Sequence, residues 1–230
     1  MIKEEHIEQL ISKYIKSGDI VSIGTSHIGE DFLKKLALAI EYEHVDLQDV
    51  QFVPTSNHLT IIASQLHIPI TTLNESEIDV AIEFVDAIDQ DFNFIKRNSY
   101  SLVRDKMIAQ SSGILVAITE HKNFQKAIQG KIAFEISSFG WKRTLNQLSM
   151  FGKAHLVEEN KMPRKTETGN YMIEVLCDKI FTLEDIEFQA KQVPGVLESG
   201  LFLGFADKII LHNSHLKVLS RTEFTQKTRI

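Results

Sequence analysis

The sequence predicts an α/β protein built on a mostly parallel sheet with helices on both faces, joined to a smaller α+β domain. Up to about residue 130, short apolar runs alternate with helical patterns over short connections, which is typical of a parallel sheet. From about residue 131 the order changes to β-α-β-β-α-β, the order of a split βαβ unit. Two late apolar runs, 207–211 and 216–219, are predicted to return to the first sheet. We therefore expect a Rossmann-like domain at 1–130 and 207–230 and a ferredoxin-like domain at 131–206.

The elements of the first domain follow from apolar spacing and from residues that favour helix ends. Ile7, Leu10 and Ile11 fall on one helical face, and Gly18 is predicted to cap that helix at its C-terminus. Ser56 or Asn57 is predicted to cap a later helix at its N-terminus. The predicted helices cover 3–17 and 30–42, and two more end near residues 67 and 112. The predicted strands are 20–23, 51–53, 70–73, 78–82 and 114–118.

The second domain is predicted from a similar pattern of apolar runs. Its strands are expected at 132–136, 154–157, 171–176 and 197–202, and its helices at 141–151 and 183–192. The polar run 158–169 is expected to be a loop.

Composition excludes several classes of function. The chain has 25 basic and 31 acidic residues, a net charge of −6, and no basic stripe, which disfavours nucleic-acid binding. A single cysteine, Cys177, excludes an intramolecular disulfide and favours a reducing compartment. No apolar run approaches ~20 residues, and the charged N-terminus lacks the apolar core of a signal peptide. We therefore expect a cytoplasmic protein without a membrane segment.

The loop Gly24–Gly29 is the first candidate binding site. It follows a predicted strand, contains Thr25, Ser26 and His27, and precedes a helix, so backbone N–H groups and the helix dipole would favour an anion. The spacing is not G-x-G-x-x-G, and Glu30 stands where a nucleotide-binding P-loop needs its lysine. A nucleotide is therefore disfavoured, whereas a smaller phosphorylated ligand and a plain tight turn both stay open.

The stretch 78–109 is the second candidate site. Its apolar strand is followed by four carboxylates, then by Lys96, and then by a helix that carries Asp105. The four carboxylates are Glu83, Asp86, Asp89 and Asp91. Acids at the carboxyl end of a strand in an open α/β sheet lie where ligands bind, although a solvated acidic loop is the alternative. The nine histidines show no metal-binding spacing, so no metal is expected.

Several stretches, in one order along the chain, resemble those of a known family. Residues 53–56 match a V-P-T-S turn, and 78–89 follow the line I-D-x-A-I-D-G-A-D-E-x-D. Residues 93–96 follow an N-x-I-K segment, and 194–202 follow G-V-x-x-x-G-L-F. These are motifs of ribose-5-phosphate isomerase A, and the resemblance covers roughly 20–219.

The resemblance implies interconversion of D-ribose 5-phosphate and D-ribulose 5-phosphate through an enediol(ate), in the non-oxidative pentose phosphate pathway. By position, Asp105 would be the general base and Lys96 the partner of the developing oxyanion. Glu83 and Asp86 would open and orient the sugar ring. The family needs neither metal nor organic cofactor, and a homodimer is implied.

The resemblance also implies a phosphate site. Its residues would be Gly24, Thr25, Ser26, His27 and Lys122, and Arg97 is expected to add charge for the phosphate where the family has a glycine. The loops at Gly24, Thr55, Glu83 and Lys96 are expected to converge at the carboxyl ends of the strands.

The sequence departs from the family pattern at the site itself. The family's first aspartate is Glu83 and the glycine after it is Phe84, while its general-base glutamate is Asp105. Its triple glycine is replaced by Arg97-Asn98-Ser99. Glu83 is one methylene longer and Asp105 one methylene shorter, so the two changes either offset each other or degrade the site independently. The alternative function is a non-catalytic paralogue that binds sugar phosphates.

Overall fold

The computed structural model describes residues 2–41, 47–178 and 180–221. The helices are α1 (Glu4–Tyr14), α2 (His27–Glu41), α3 (Asn57–Gln65), α4 (Leu102–Gln110), α5 (Trp141–Leu148) and α6 (Leu183–Lys191), with 3₁₀ turns at His121–Asn123 and Ser149–Phe151. The first eight strands are β1 (Ile20–Ile23), β2 (Gln51–Phe52), β3 (Ile78–Phe84), β4 (Ala87–Asp89), β5 (Phe94–Ile95), β6 (Ser112–Glu120), β7 (Phe124–Gln125) and β8 (Lys131–Ile136). The others are β9 (Gly152–Leu156), β10 (Glu158–Glu159), β11 (Met162–Pro163), β12 (Tyr171–Cys177), β13 (Val196–Ser199), β14 (Leu201–Phe202), β15 (Lys208–His212) and β16 (Leu216–Ser220).

The chain forms two compact units. Unit 1 contains the described residues of Met1–Val85, Met107–Phe124 and Ala206–Ile230. Unit 2 consists of the described residues of Asp86–Lys106 and Gln125–Phe205. This division differs from the sequence-based boundaries, because 86–106 and 125–130 group with unit 2. The physical reason is strand pairing: β5 pairs with both β4 and β14, so the segment after Val85 completes a sheet of unit 2.

Unit 1 is built on a six-stranded sheet in the order β16-β15-β6-β3-β1-β2. Every neighbouring pair is parallel except β15–β16, which is antiparallel. The predicted return of the last two strands to this sheet is therefore confirmed. The parallel strands place their carboxyl ends at one edge, where ligands bind in open α/β sheets.

The core of unit 1 forms where three helices cover this sheet. Residues of α1, α2 and α3 pack in one cluster with alternate residues of the strands, which explains the helical spacing of apolar residues in the first 65 positions. The fully buried side chains of this cluster include Val21, Ile23, Phe32, Leu33, Leu36, Leu59 and Ile82.

Unit 2 contains the predicted split βαβ unit. Its main sheet has the order β13-β8-β12-β9, and each neighbouring pair is antiparallel. Residues of α5 and α6 pack against this sheet around Phe134, Ile173 and Val175, each of which has no exposed surface. The smaller sheet of unit 2 pairs β5 with β4 and β14.

A buried carboxylate on β8 holds the start of α4. Glu135 is fully buried, and its Oε2 accepts hydrogen bonds from Val103 N at 3.0 Å and Ser101 Oγ at 3.1 Å. Its Oε1 accepts from Thr166 Oγ1 at 2.8 Å, Asn170 Nδ2 at 2.9 Å and Thr168 Oγ1. A negative charge at a helix N-terminus is favourable, so this network fixes the first turn of α4 and the loop before β12.

The same network sets the ionisation of Glu135. Burial raises the pKa of this carboxyl, but the hydrogen bonds from Thr168, Asn170, Val103 and Thr166 outweigh burial, and the net pKa lies below its ordinary value of 4.5. Glu135 is therefore a carboxylate at neutral pH.

The structure differs from the sequence-based elements at several points. α2 begins at His27, three residues earlier than predicted, because Ser26 caps it. Residue 70 forms only a single bridge with Phe52 in place of the strand predicted at 70–73. The run 197–202 is divided into β13 and β14, which belong to different sheets. Gly18 does not end α1, which stops at Tyr14, and the predicted helix end at Tyr42 lies outside the described residues.

The core of unit 2 gives a stability prediction with an internal control. Phe134 has no exposed surface and Phe139, five residues later, is 91% exposed. Phe134→Ala removes a buried ring and should lower the free energy of unfolding by about 4 kcal/mol, measured by chemical denaturation. Phe139→Ala should change it by less than about 0.5 kcal/mol. Equal losses of unfolding free energy in the two variants would contradict the placement of Phe134 in the core.

The Glu135 network gives a second prediction, with a defined pH dependence. At pH 7, Glu135→Gln should lower the free energy of unfolding by about 3 kcal/mol, because it turns a donor toward buried donors. Since the folded-state pKa is lowered, the advantage of the wild type is present above pH 4.5 and is lost as the pH falls below it.

Denaturation curves at pH 7, 5 and 3.5 would measure this difference, with the exposed Glu158→Gln as the control. A difference that grows toward low pH would contradict the assignment of a charged Glu135.

Candidate active site

The loop after β1 turns sharply into α2, and two glycines permit this turn. Gly24 donates its N–H to Ile82 O at 2.7 Å. A Cβ on Gly29 would lie 2.1 Å from Gly24 O, which no side chain could avoid without a shift of the backbone. Ser26 Oγ accepts from Gly29 N at 2.9 Å and caps the helix. The start of α2 therefore lies at the carboxyl edge of the sheet, an arrangement that favours an anion.

Three hydroxyl groups join the loops after β1 and β2. Thr25 Oγ1 lies 2.7 Å from both Thr55 Oγ1 and Ser56 Oγ. Thr55 also donates to Ile23 O at 2.8 Å, and Ser56 accepts from the N–H of Leu59 as the N-cap of α3. The turn 53–56 thus supports the loop Gly24–Gly29 through hydroxyl contacts that its sequence alone did not indicate.

Glu83 lies at the same edge of the sheet, beside Gly24. Its side chain is 1% exposed, and a Cβ on Gly24 would lie 2.5 Å from Glu83 Oε2. The carboxylate therefore occupies the space that a side chain at position 24 would need. The next residue, Phe84, packs edge-to-face on Phe32 of α2, with ring centroids 6.5 Å apart. The ring that replaces the family's glycine thus belongs to the core of unit 1.

Two predicted phosphate ligands of unit 1 face carboxylates. His27 is fully exposed, and its Nδ1 lies 3.7 Å from Glu30 Oε1, which His58 Nε2 contacts at 3.0 Å. Lys122 follows β6 and is 74% exposed, with Nζ 2.7 Å from Glu120 Oε2. Both side chains lie in exposed positions beside an acid, so neither is held rigidly.

Asp86 and Arg97 bracket β4 and β5 in unit 2. Arg97 N donates to Asp86 Oδ2 at 2.6 Å, and the guanidinium Nη2 lies 3.9 Å from Asp86 Oδ1. Both side chains are partly exposed. The carboxylate at 86 is therefore oriented by the first residue of the segment that replaces the family's triple glycine.

The other two acids of the predicted cluster have different surroundings. Asp89 is buried and holds the turn between β4 and β5, because it accepts from Asp91 N at 2.9 Å and Asn93 N at 3.0 Å. Burial raises the pKa of this carboxyl, against the hydrogen bonds from Asn93. Asp91 is exposed. The predicted carboxylate cluster thus separates into candidate catalytic groups and a structural group.

The most enclosed ion pair of the candidate site joins Lys96 and Asp105. Lys96 Nζ lies 2.8 Å from Asp105 Oδ2, and the two side chains are 6% and 5% exposed. The loop before α4 adds a third group, because Ser99 Oγ donates to the same Oδ2 at 2.6 Å. A carboxylate and an ammonium group held in contact and away from water can act as a base and an oxyanion partner.

The sequence placed the loop at Thr55 at the site and named Ser56 as a helix cap, but it did not predict the hydroxyl contacts of either residue with Thr25. The contact of Ser99 with Asp105 was also missed, because serine and threonine in loops carry no spacing signal. Cys177 is partly buried at the end of β12, and burial raises its pKa to about 11, as expected of an unreactive thiol.

Metal-binding clusters and membrane-spanning helices are both absent from the described ranges. Residues 2–41, 47–178 and 180–221 contain no group of three or more His, Cys, Asp or Glu side chains that could bind a metal ion. Within the same ranges, every helix is too short or too polar to cross a membrane.

The chain is similar to the proteins of one family over most of its length. Residues 51–215 match the family model of ribose 5-phosphate isomerase A (phosphoriboisomerase A). The protein named ribose-5-phosphate isomerase A in Bacillus mycoides is 30% identical over 214 residues, which cover 90% of this chain and 95% of that protein. The protein named ribose-5-phosphate isomerase A 2 in Oceanobacillus iheyensis is 31% identical over 215 residues, covering 91% and 94%.

Solved structures agree with these matches. A D-ribose-5-phosphate isomerase in complex with phospho-erythronic acid superposes with a TM-score of 0.87 at 27% identity, covering 95% of this chain and 97% of that one. The ribose 5-phosphate isomerase from Plasmodium falciparum gives a TM-score of 0.87 at 24% identity, with coverage of 95% and 97%. The predicted mixed α/β fold is therefore confirmed, and the chain belongs to the ribose-5-phosphate isomerase A family.

Proposed function

We propose that this protein interconverts D-ribose 5-phosphate and D-ribulose 5-phosphate through an enediol(ate), in the non-oxidative branch of the pentose phosphate pathway. The observation that carries the proposal is the buried pair of Lys96 and Asp105, 2.8 Å apart. An aldose–ketose isomerase needs a base for one carbon-bound proton and a cation for the developing oxyanion, and these two side chains supply both.

The proton transfer follows from the chemistry of these groups. Asp105 takes the proton from the carbon beside the carbonyl, and the same carboxyl returns it to the neighbouring carbon. Lys96 stabilises the negative charge that forms on the carbonyl oxygen. Burial strengthens both interactions, because little water is present to screen the charges.

The remaining predicted residues serve binding and ring opening. Glu83 and Asp86 are assigned to opening and orienting the sugar ring, supported by their match to the family's aspartates. The loop of Gly24, Thr25 and Ser26 is assigned to the phosphate, supported by its place at the start of α2.

Three other residues are assigned to the phosphate group. His27, Arg97 and Lys122 are partly or fully exposed, and each lies within 4 Å of a carboxylate. We assign them to attraction of the phosphate, which needs no rigid geometry.

We further propose a cytoplasmic homodimer that binds a small phosphorylated pentose and neither nucleic acid nor a membrane. The single cysteine supports a reducing compartment, and the net charge of −6 disfavours a nucleic-acid partner. Sedimentation equilibrium of the purified chain would test the dimer.

The activity is tested directly by a coupled isomerase assay with D-ribose 5-phosphate, together with a thermal-shift titration of the same ligand. Turnover supports the proposal. A ligand-dependent rise in melting temperature without turnover would instead identify the non-catalytic sugar-phosphate binder and refute the isomerase.

Lys96 provides the sharpest mutational prediction. Lys96→Met keeps a side chain of similar length but removes the charge. It should lower kcat by ~10²-fold or more, as expected when an oxyanion partner is lost. Lys131→Met is the matched control, because Lys131 is partly exposed and pairs with Glu174 at 2.9 Å. Steady-state kinetics would compare the two, and an unchanged kcat in Lys96→Met would remove the lysine from the mechanism.

A further inference from the structure

Ser99 is a buried serine whose hydroxyl group is committed to Asp105. It is 7% exposed, and its Oγ lies 2.6 Å from Asp105 Oδ2. The N–H of Ser101 donates to the same Oγ at 3.0 Å. A hydroxyl group has one hydrogen, and Ser99 Oγ already accepts from Ser101, so its hydrogen is directed to the carboxylate.

Ser99 and Lys96 bind the same oxygen of Asp105. Lys96 Nζ lies 2.8 Å from Oδ2, the oxygen that accepts from Ser99. Within the described part of the chain, both polar contacts of the Asp105 side chain are made by its Oδ2 atom. The two donors therefore hold Oδ2 in place and leave Oδ1 as the oxygen for a substrate proton.

We infer that Ser99 is a positioning residue, whose hydroxyl group holds the short Asp105 side chain in place for proton transfer. The inference rests on the proposed function and concerns a residue that the family pattern does not assign. The sugar would not touch Ser99, which acts through Asp105.

The geometry also explains why a longer base would not fit beside Ser99. An added methylene would move the carboxylate by ~1.5 Å along the side chain. With Ser99 Oγ only 2.6 Å from Oδ2, a glutamate at position 105 would collide with the hydroxyl or turn away from Lys96. A displacement of ~1 Å at a catalytic group can cost ~100-fold in rate. Serine at 99 and aspartate at 105 therefore form a matched pair.

The hydrogen bond from Ser99 removes freedom of rotation from the carboxylate of Asp105. This restriction affects the rate because the reacting atoms must lie ~3–3.5 Å apart.

The first experiment removes the hydroxyl alone. Ser99→Ala should lower kcat by ~10-fold and change KM by less than ~2-fold, because Ser99 does not touch the substrate. Ser22→Ala is the matched control, since Ser22 is also buried and donates to Val53 O at 2.8 Å. An unchanged kcat in Ser99→Ala, or an equal loss in Ser22→Ala, would overturn the inference.

The second experiment exchanges the pair. Ser99→Gly and Asp105→Glu should each lower kcat, the first by loss of the donor and the second by collision. The kcat of the double variant should exceed that of either single variant by ~10-fold or more, because glycine leaves room for the longer carboxylate. Additive losses would show that the residues act independently and would overturn the matched pair.

A third measurement separates this inference from the proposed function. If the wild-type chain shows no turnover, the proposed function fails, but the contact is still measured by unfolding. A double-mutant cycle of Ser99→Ala and Asp105→Ala should show a coupling of ~3-fold or more in the unfolding equilibrium constant. A coupling within error of 1 would overturn the role of Ser99 whether or not the protein is active.

Discussion

Enclosing a lysine and an aspartate away from water is the constraint on which the candidate site depends. A buried ion pair is favourable only when its geometry is fixed and its remaining polar atoms have partners. Asp105 lies in the first turn of α4, so that turn has to be held in one position. Glu135 does this through Val103 N and Ser101 Oγ, and Ser99 completes the arrangement at the carboxylate itself. The carboxylate of Glu135 thus holds the helical turn that carries Asp105.

The substitutions that distinguish this chain from the family pattern have partners of their own. Phe84, in place of a glycine, packs on Phe32. Arg97 binds Asp86 through its backbone N–H, and Ser99 donates to Asp105. The side chains of Phe84 and Ser99 are therefore each accommodated by a neighbour of the same unit.

Sequence patterns predicted the parts of the fold that have long periodic signals. The apolar runs of β1, β3 and β6 and the β-α-β-β-α-β order of unit 2 were visible because many residues contribute to each pattern. The strands β4 and β5, of three and two residues, were missed because so short a segment has no period. The pairing of β5 with β14, more than 100 residues later, also explains why the compact units differ from the boundaries drawn on the sequence.

Most of the candidate site was found by residue type, and the residues that support it were not. Lys96 and Asp105 were noticed because an acidic run at the end of a strand is followed by one lysine and by an acid that opens a helix, and their roles came from the resemblance to the family. Glu135 was missed because it interrupts an apolar strand, KIAFEI, and its donors lie more than 30 residues away in sequence. A buried carboxylate is costly without such donors, so its presence in a core strand is itself a signal that polar partners must exist.

The two altered carboxylates, Glu83 and Asp105, also have neighbours that explain their positions. The longer Glu83 lies against Gly24, which has no side chain, and the shorter Asp105 receives a hydroxyl group from Ser99. Gly24 matches a glycine of the family pattern, so the contact that is particular to this chain is the one between Ser99 and Asp105. The position of the shorter carboxylate is therefore fixed by a neighbouring side chain, which is what the proposed proton transfer requires.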